Sequence, residues 1–195
     1  MSFVAADAIG EFGFAIDHGF GLDLNAGIPM AADGHPRLRL DGGFIIYRIE
    51  SVYYFAYGCR VGSELTTTNS ILYGGVGPEI VLARGDVQPY VHATAGMSWF
   101  VTSSAVDHQH GYDSSLNTTN YSDHVFGWKF GGGLRVRAGT ALFIDLGVMR
   151  HDNGLVSYLT EGDIVDNPDG SVTRYPKLSE ADLLSFRLGV TLGLF

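Results

Sequence analysis

The feature that most constrains this chain is a period-two alternation that recurs along most of its length. In the last stretch, "DLLSFRLGVTLGLF", the even positions hold Leu184, Phe186, Leu188, Val190, Leu192 and Leu194. The odd positions hold Ser185, Arg187, Gly189, Thr191 and Gly193. Successive side chains of a β-strand point to opposite faces, so this is a strand with two unlike surroundings. In "GFGLDLNAGI" the row Phe20, Leu22, Leu24, Ala26, Ile28 alternates with Gly19, Gly21, Asp23, Asn25 and Gly27. "RLRLDGGFII", "FGWKFGGGLRVRA" and "VQPYVHATAGMSWFV" repeat the pattern, and "LTTTNSILYGGVGPEIVL" and "ALFIDLGVMRH" carry it more weakly. With a short first strand near Ser2 to Ala8, the pattern predicts eight strands.

Composition agrees with many short strands and tight turns. The 195 residues suit one domain spanning 1–195 and include 27 Gly, 12 Phe and 10 Tyr. No apolar run approaches the ~18–20 residues of a membrane-spanning helix. A net charge of −9 argues against nucleic acid, whose phosphates call for clustered Lys and Arg. The one cysteine, Cys59, cannot form an internal disulfide. The start "MSFVAADAIG" lacks a basic n-region and an apolar h-region. The expectation is therefore either a cytoplasmic protein or a mature or trimmed chain with an added Met.

The connections alternate in length. "AADGHP", "ARGD" and "RAGT" read as tight turns, whereas Ile9 to His18, Glu50 to Ser63, Ser104 to His124 and Asn153 to Asp182 read as long polar loops. Short links on one rim and long loops on the other are the plan of an all-β, eight-stranded, antiparallel up-and-down transmembrane barrel. Charge decides which face meets lipid. The polar rows carry Asp23, Asp41, Glu79 and Asp145 with Arg37, Arg39, Lys129, Arg135, Arg137 and Arg187, whereas the apolar rows carry no charge in the strand centres. Buried charges must pair or keep water, and a polar lumen lets them do both. The expected lipid face is Phe20, Leu22, Leu24, Phe44, Trp99, Phe126, Trp128, Phe130, Phe186, Leu188, Val190 and Leu192. The competing arrangement is a soluble lipocalin-like barrel that binds a ligand. It would crowd those rings into an interior only just wide enough for side chains or one small ligand.

The terminal Phe on an amphipathic strand, the stretch "IGEFGFAIDHGFGLDLNAG" and the strand count resemble the small outer-membrane β-barrels of Gram-negative bacteria, the OmpX/Ail/opacity-like group. The likeness covers nearly the whole chain, and its motifs are architectural. It implies a bacterial outer-membrane location, membrane lipids as surroundings, and both termini on the short-turn, periplasmic side. It also implies that the last strand, ending in Phe195, is the signal read by the outer-membrane assembly machinery. Phe195 falls on the opposite parity from the Leu/Val row, a departure from the family pattern. Of the 21 acidic residues, 17 lie off the polar strand rows with six Lys or Arg beside them, so the outer loops are expected to be acidic. Acid keeps such a rim soluble, and it also suits cations or a basic partner surface.

Several short motifs hold residues capable of chemistry. "DHQHGYD" sets His108 and His110 two apart beside Asp107 and Asp113, a weak metal candidate. "DIVDNPDGS" lacks the terminal Glu of a calcium loop and reads as a hairpin turn. His151, Ser157 and Glu161 resemble the set of the lipid A deacylase barrels, but the Ser lies six positions beyond the His, where that family keeps the two close. His92 reads as a hydrogen-bonded lumen residue. The "GGG" at Gly131 to Gly133 precedes no helix and is no phosphate loop. The expectation is a non-enzymatic barrel without cofactor, its lumen plugged by the charged network. Its acidic outer loops would serve adhesion, envelope integrity or assembly. The alternatives are a narrow channel for small polar solutes, the soluble barrel and the hydrolase. A short first strand also predicts an unpaired edge, to be closed by upstream residues or by a neighbouring chain, and hence self-association or a protein partner at that edge or at the outer loops.

Overall fold

A computed structural model describes the chain apart from residues 32–33, 56–61, 109–115, 161, 168–170 and 194–195. Eight antiparallel strands close a barrel, as the alternation predicts. In chain order they are β1 (Ser2–Ala8), β2 (His18–Pro29), β3 (Pro36–Phe55), β4 (Gly62–Val81), β5 (Val87–His108), β6 (Leu116–Arg137), β7 (Leu142–Asn153) and, after a long excursion, β12 (Leu183–Leu192). Each strand pairs with its sequence neighbours, and β1 closes the ring against β12. The excursion holds four short strands in two hairpin pairs. These are β8 (Leu155–Tyr158) with β11 (Lys177–Glu180), and β9 (Ile164–Asp166) with β10 (Val172–Arg174). The "NPDG" turn expected between β9 and β10 lies largely outside the described residues.

The greasy rows point outward. Phe20, Trp128 and Leu188 are 57 %, 51 % and 56 % exposed, while Asp23, Arg39 and Arg187 on the alternate rows are buried. Leu24, Phe44, Trp99, Phe126, Phe130, Phe186, Val190 and Leu192 are exposed as well, and Leu22 faces the same way at intermediate exposure. A continuous belt of exposed aliphatic and aromatic groups around a closed sheet is stable in hydrocarbon and a strong aggregation site in water. The barrel therefore spans a membrane, and the soluble arrangement with the rings turned inward is not the one adopted.

Two of the expected long loops are strand. The segments read as polar connections, Glu50 to Ser63 and Ser104 to His124, are largely taken up by β3 running on to Phe55, β4 starting at Gly62, β5 running to His108 and β6 starting at Leu116. Strands of 20 to 22 residues exceed the ~9–11 that cross a bilayer. At ~3.3 Å per residue, β3 to β6 therefore rise roughly 30 Å past the membrane as a four-stranded wall. β7, β12, β1 and β2 have 12, 10, 7 and 12 residues and stop short. The excursion from β8 to β11 leans against the wall, with the Ser157 backbone N–H donating to Asp123 Oδ2 at 2.8 Å.

The seam is closed along the seven residues of β1 and left unpaired beyond them, as the short first strand predicts. β1 pairs with β12 from Ser2–Gly189 to Ala8–Leu183 and with β2 from Ser2–Asp23 to Asp7–His18. Among the described residues, Val190 still exchanges backbone bonds with Met1, β12 beyond Val190 pairs with β7 alone, and β2 beyond Asp23 pairs with β3 alone.

Candidate functional site: a cross-braced lumen beneath a polar vestibule

The interior is built from the polar rows. Nearest the short turns, Glu79 of β4 accepts from Arg39 Nη1 of β3 at 2.8 Å and from both Arg135 Nη1 and Nη2 of β6, each at 2.8 Å. Arg135 also lies 3.4 Å from Asp145 Oδ2 of β7 and stacks over the Tyr90 ring at 4.0 Å. Further along, Lys129 Nζ donates to Asp41 Oδ1 at 2.5 Å, and Thr94 Oγ1 donates to Asp41 Oδ2 at 2.9 Å. Arg187 of β12 donates through Nη1 to Asp23 Oδ1 of β2 and through Nη2 to Tyr90 Oη of β5, each at 3.0 Å. Tyr73 and Tyr90 donate to Asp23 and Asp145 at 3.1 and 2.6 Å.

Four carboxylates and four cations thus meet across the lumen, almost fully out of solvent. Such a set is favourable only when every charge has partners, because stranding one costs several kcal/mol. Two residues expected in the network lie at its rim, Arg137 apart from it and Arg37 joined to it only through Glu79. Arg137 lies at the turn rim, where it pairs with the exposed Asp86 at 3.1 Å and covers the Phe143 ring. Arg37 is half-buried at the same rim, 4.0 Å from Glu79. Both lie on the predicted row, but near the ends of their strands, where the lumen opens to water.

Glycines make room for these long side chains. A Cβ on Gly147 would sit 2.9 Å from Arg187 Nη2 and 3.1 Å from Tyr90 Oη. Gly147→Ala is expected to lower stability by about 1–3 kcal/mol through overpacking. Urea titration of the reconstituted protein checks this, and an unchanged midpoint would mean that the space is not needed.

Above the charges the filling becomes apolar. Val4, Ile45, Ile71, Met149 and Leu183 are buried, and the connection from β1 to β2 folds inward. Its single 3₁₀ turn, Phe12–Phe14, delivers Phe12 with no exposed surface. The Phe12 ring packs edge-on against Tyr158, Phe100 and Tyr47 at centroid distances of 4.9, 6.2 and 5.7 Å. Sequence reading missed Phe12, since a loop has no periodicity to give its direction away. His92 of β5, opposite Glu79 of β4, is buried in the charged layer and stacks on Tyr90, with no hydrogen bond to either ring nitrogen among the described residues. The hydrogen-bonded role expected of it is therefore not seen.

The deacylase set is not assembled. His151 is fully buried in the lumen, 3.1 Å from Ser185 Oγ and edge-on to Tyr73. Ser157 sits on β8 in the excursion, and Glu161 lies outside the described residues. His110, Cys59 and Phe195 lie outside them as well, and His108 ends β5. Among the described residues no group of three or more His, Cys, Asp and Glu is placed to hold a metal.

Two β-bulges shape the loop end. Pairing steps from Ile46–Ser70 to Arg48–Asn69, which makes Tyr47 an extra residue on β3. It also steps from Thr102–Tyr121 to Ser103–Thr119, which makes Asn120 extra on β6. A bulge reverses the parity beyond it and re-aims side chains, so Glu50, Val52 and Thr118 face the interior. Between the wall and the excursion they enclose a cavity of about 420 Å³. Hydrogen bonds run through its lining. Thr67 Oγ1 lies 2.8 Å from Ser104 Oγ, Asn120 Nδ2 donates to Ser104 Oγ at 2.6 Å, and Thr102 Oγ1 donates to Asn69 Oδ1 at 2.5 Å. Lys177 Nζ, donating to Thr160 Oγ1 at 2.6 Å, braces the excursion above it. Where the excursion returns to β12, Asp182 accepts from the Asn153 backbone N–H and from Arg150 Nη2, each at 3.0 Å. Burial, ahead of the neighbouring Asp152 carboxylate, holds the Asp182 carboxyl above its ordinary range.

A closed eight-stranded meander with a lipid-facing belt, a charged interior and all its long connections at one end is the fold of the small outer-membrane β-barrels. No family profile and no curated protein matches the chain by sequence. Among solved structures, it superposes on Ail, the attachment invasion locus protein of Yersinia pestis, in its complex with the heparin analogue sucrose octasulfate. The TM-score is 0.52 and the identity 10 %, over 97 % of this chain and 92 % of that one. Neisserial surface protein A aligns over 99 % of this chain and 95 % of its own at 14 % identity and a TM-score of 0.48.

Proposed function

We propose that the chain is a non-enzymatic barrel of a bacterial outer membrane, closed to solutes, whose working surface is the end bearing the wall and the excursion. That end would serve adhesion or assembly with other surfaces. The observation that carries the closed lumen is the hydrogen-bonded chain linking Asp23, Arg187, Tyr90 and Asp145 across the barrel, under a lid of apolar side chains around Phe12. An aqueous channel of eight strands has no bore left once such side chains fill it. The outer-membrane placement is supported by the belt and by the fold shared with Ail, and the surface role by the four strands that outreach the bilayer on one side only. The short-turn end, with both chain termini, would face the periplasm and the assembly machinery.

Two measurements test this. The purified protein should run at different gel positions before and after boiling, as a barrel that resists dodecyl sulfate when cold. Planar bilayers containing it should show no discrete conductance. Stepwise openings in the unmodified protein would overturn the closed lumen, and the absence of a gel shift would overturn the membrane barrel.

A further inference from the structure

We propose that the vestibule binds an uncharged, polyhydroxylated ligand the size of a mono- or disaccharide, such as the terminus of a glycan. This deepens the reading of the loop end as the working surface and rests on it. The cavity of about 420 Å³ lies within the range of small-ligand sites. Its wall side is lined by the hydroxyls of Thr67, Thr102, Ser104 and Thr118 and by the amides of Asn69 and Asn120. These come from the three adjacent strands β4, β5 and β6, and Asn120 is aimed inward by its bulge.

The lining is preorganised. The bonds from Thr67 and Asn120 to Ser104, and from Thr102 to Asn69, fix the rotamers before any ligand arrives, so little ordering cost falls on binding. Among the described residues, the Asn69 amino group, the Asn120 carbonyl and the Thr118 hydroxyl carry no hydrogen bond in this arrangement and remain to be used. The Asn69 amino group is left as a donor and the Asn120 carbonyl as an acceptor, so the lining can both give hydrogen bonds to sugar hydroxyls and take them. Leu65, Leu159 and Ile164 supply aliphatic surface for the C–H face of a sugar ring.

Charge sets the class of ligand. Glu50, held by Arg48 Nε at 3.3 Å, is the one charged side chain among the described residues lining the cavity. A carboxylate accepts from two neighbouring hydroxyls and repels a sulfate or phosphate. With Arg48 on Glu50, and Lys177 shared between Thr160 and Asp163, the charges around the cavity are paired with one another, which suits an uncharged ligand better than a polyanion.

The test uses the full chain in phosphatidylcholine nanodiscs, free of sugar-headed detergent. Saturation-transfer NMR is recorded with lactose, maltose and sucrose, and with sucrose octasulfate as the polyanion matched to sucrose. At least one neutral disaccharide should receive saturation. Thr118→Trp, at an exposed position whose indole would fill the cavity, should abolish the signal, and Glu50→Ala should weaken binding roughly tenfold through loss of hydrogen bonds to a charged acceptor. Saturation of none of the neutral sugars, an undiminished signal in Thr118→Trp, or transfer to sucrose octasulfate alone would each overturn the proposal. Because gel shift and conductance are read on the same preparation, a failed sugar experiment beside a shifted, silent barrel removes the ligand and leaves the closed membrane barrel standing.

Discussion

Replacing Arg135 by Met is expected to destabilise the barrel by about 3–5 kcal/mol, whereas the same change at Arg137 should cost at most about 1 kcal/mol. The two arginines are neighbours on one row of β6, and their environments differ. Arg135 is buried, bonds Glu79 through both terminal nitrogens, approaches Asp145 and covers Tyr90. With it gone, Glu79 keeps Arg39 at 2.8 Å and the rim Arg37 at 4.0 Å, and among the described residues Asp145 keeps hydrogen bonds from the hydroxyls of Tyr90 and Thr191, with Arg187 as its remaining cation. Methionine fills most of the volume, so the loss is that of the charge and its hydrogen bonds. Arg137 and its partner Asp86 are 34 % and 87 % exposed, so water already does most of what each does for the other. Urea titrations followed by Trp fluorescence in lipid, together with the fraction surviving cold dodecyl sulfate, give both numbers. Equal losses for the two variants would show that the lumen charges are solvated and that the network does not close the barrel.

That contrast marks how far the sequence could be read. The face of each strand was legible, because lipid on one side and polar contacts on the other leave a strict alternation. Asp23, Asp41, Glu79 and Lys129 follow from parity alone. Position along the strand was not legible, since Arg135 and Arg137 look alike until the end of the lumen is located. The wall was lost for a related reason. Val52, Ser104, Thr118 and Thr119 lie in strands with water or polar groups on both faces, so no alternation marks them and they read as loop, whereas Thr66 to Ser70 read as the weak start of a strand. The β-branched Val52, Thr118 and Thr119 were the available signal. The bulges at Tyr47 and Asn120 were also hidden, because a one-residue parity change is indistinguishable from the end of a pattern when the residues beyond it are polar. Most of the vestibule therefore lay in segments that sequence reading had set aside as connections.

The same contrast applies within the first connection. Phe12→Ala is expected to cost about 3–5 kcal/mol, while Phe14→Ala, two residues on, should change stability by no more than about 0.5 kcal/mol. Both are phenylalanines of "EFGF", yet Phe12 has no exposed surface and Phe14 is 93 % exposed. The Phe12 ring joins elements far apart in the chain: Tyr47 on β3, Phe100 on β5 and Tyr158 on β8. Removing it leaves a ring-sized cavity where the loop, the wall and the excursion meet, at a place too tightly framed by strands to collapse. The loop from Ile9 to Asp17 would then lose its main anchor and become open to proteolysis, with cleavage between β1 and β2 as the readout. The charges nearer the short turns do not depend on that ring, so Phe12→Ala should stay silent in planar bilayers even as its stability falls. Conductance in this variant would place the seal at Phe12 and deny it to the ion network. Resistance to protease equal to that of the unmodified protein would show that the loop is held by its backbone bonds, Ala8 N–H to Asp17 O and Ile9 N–H to Asp182 O, with the ring adding little.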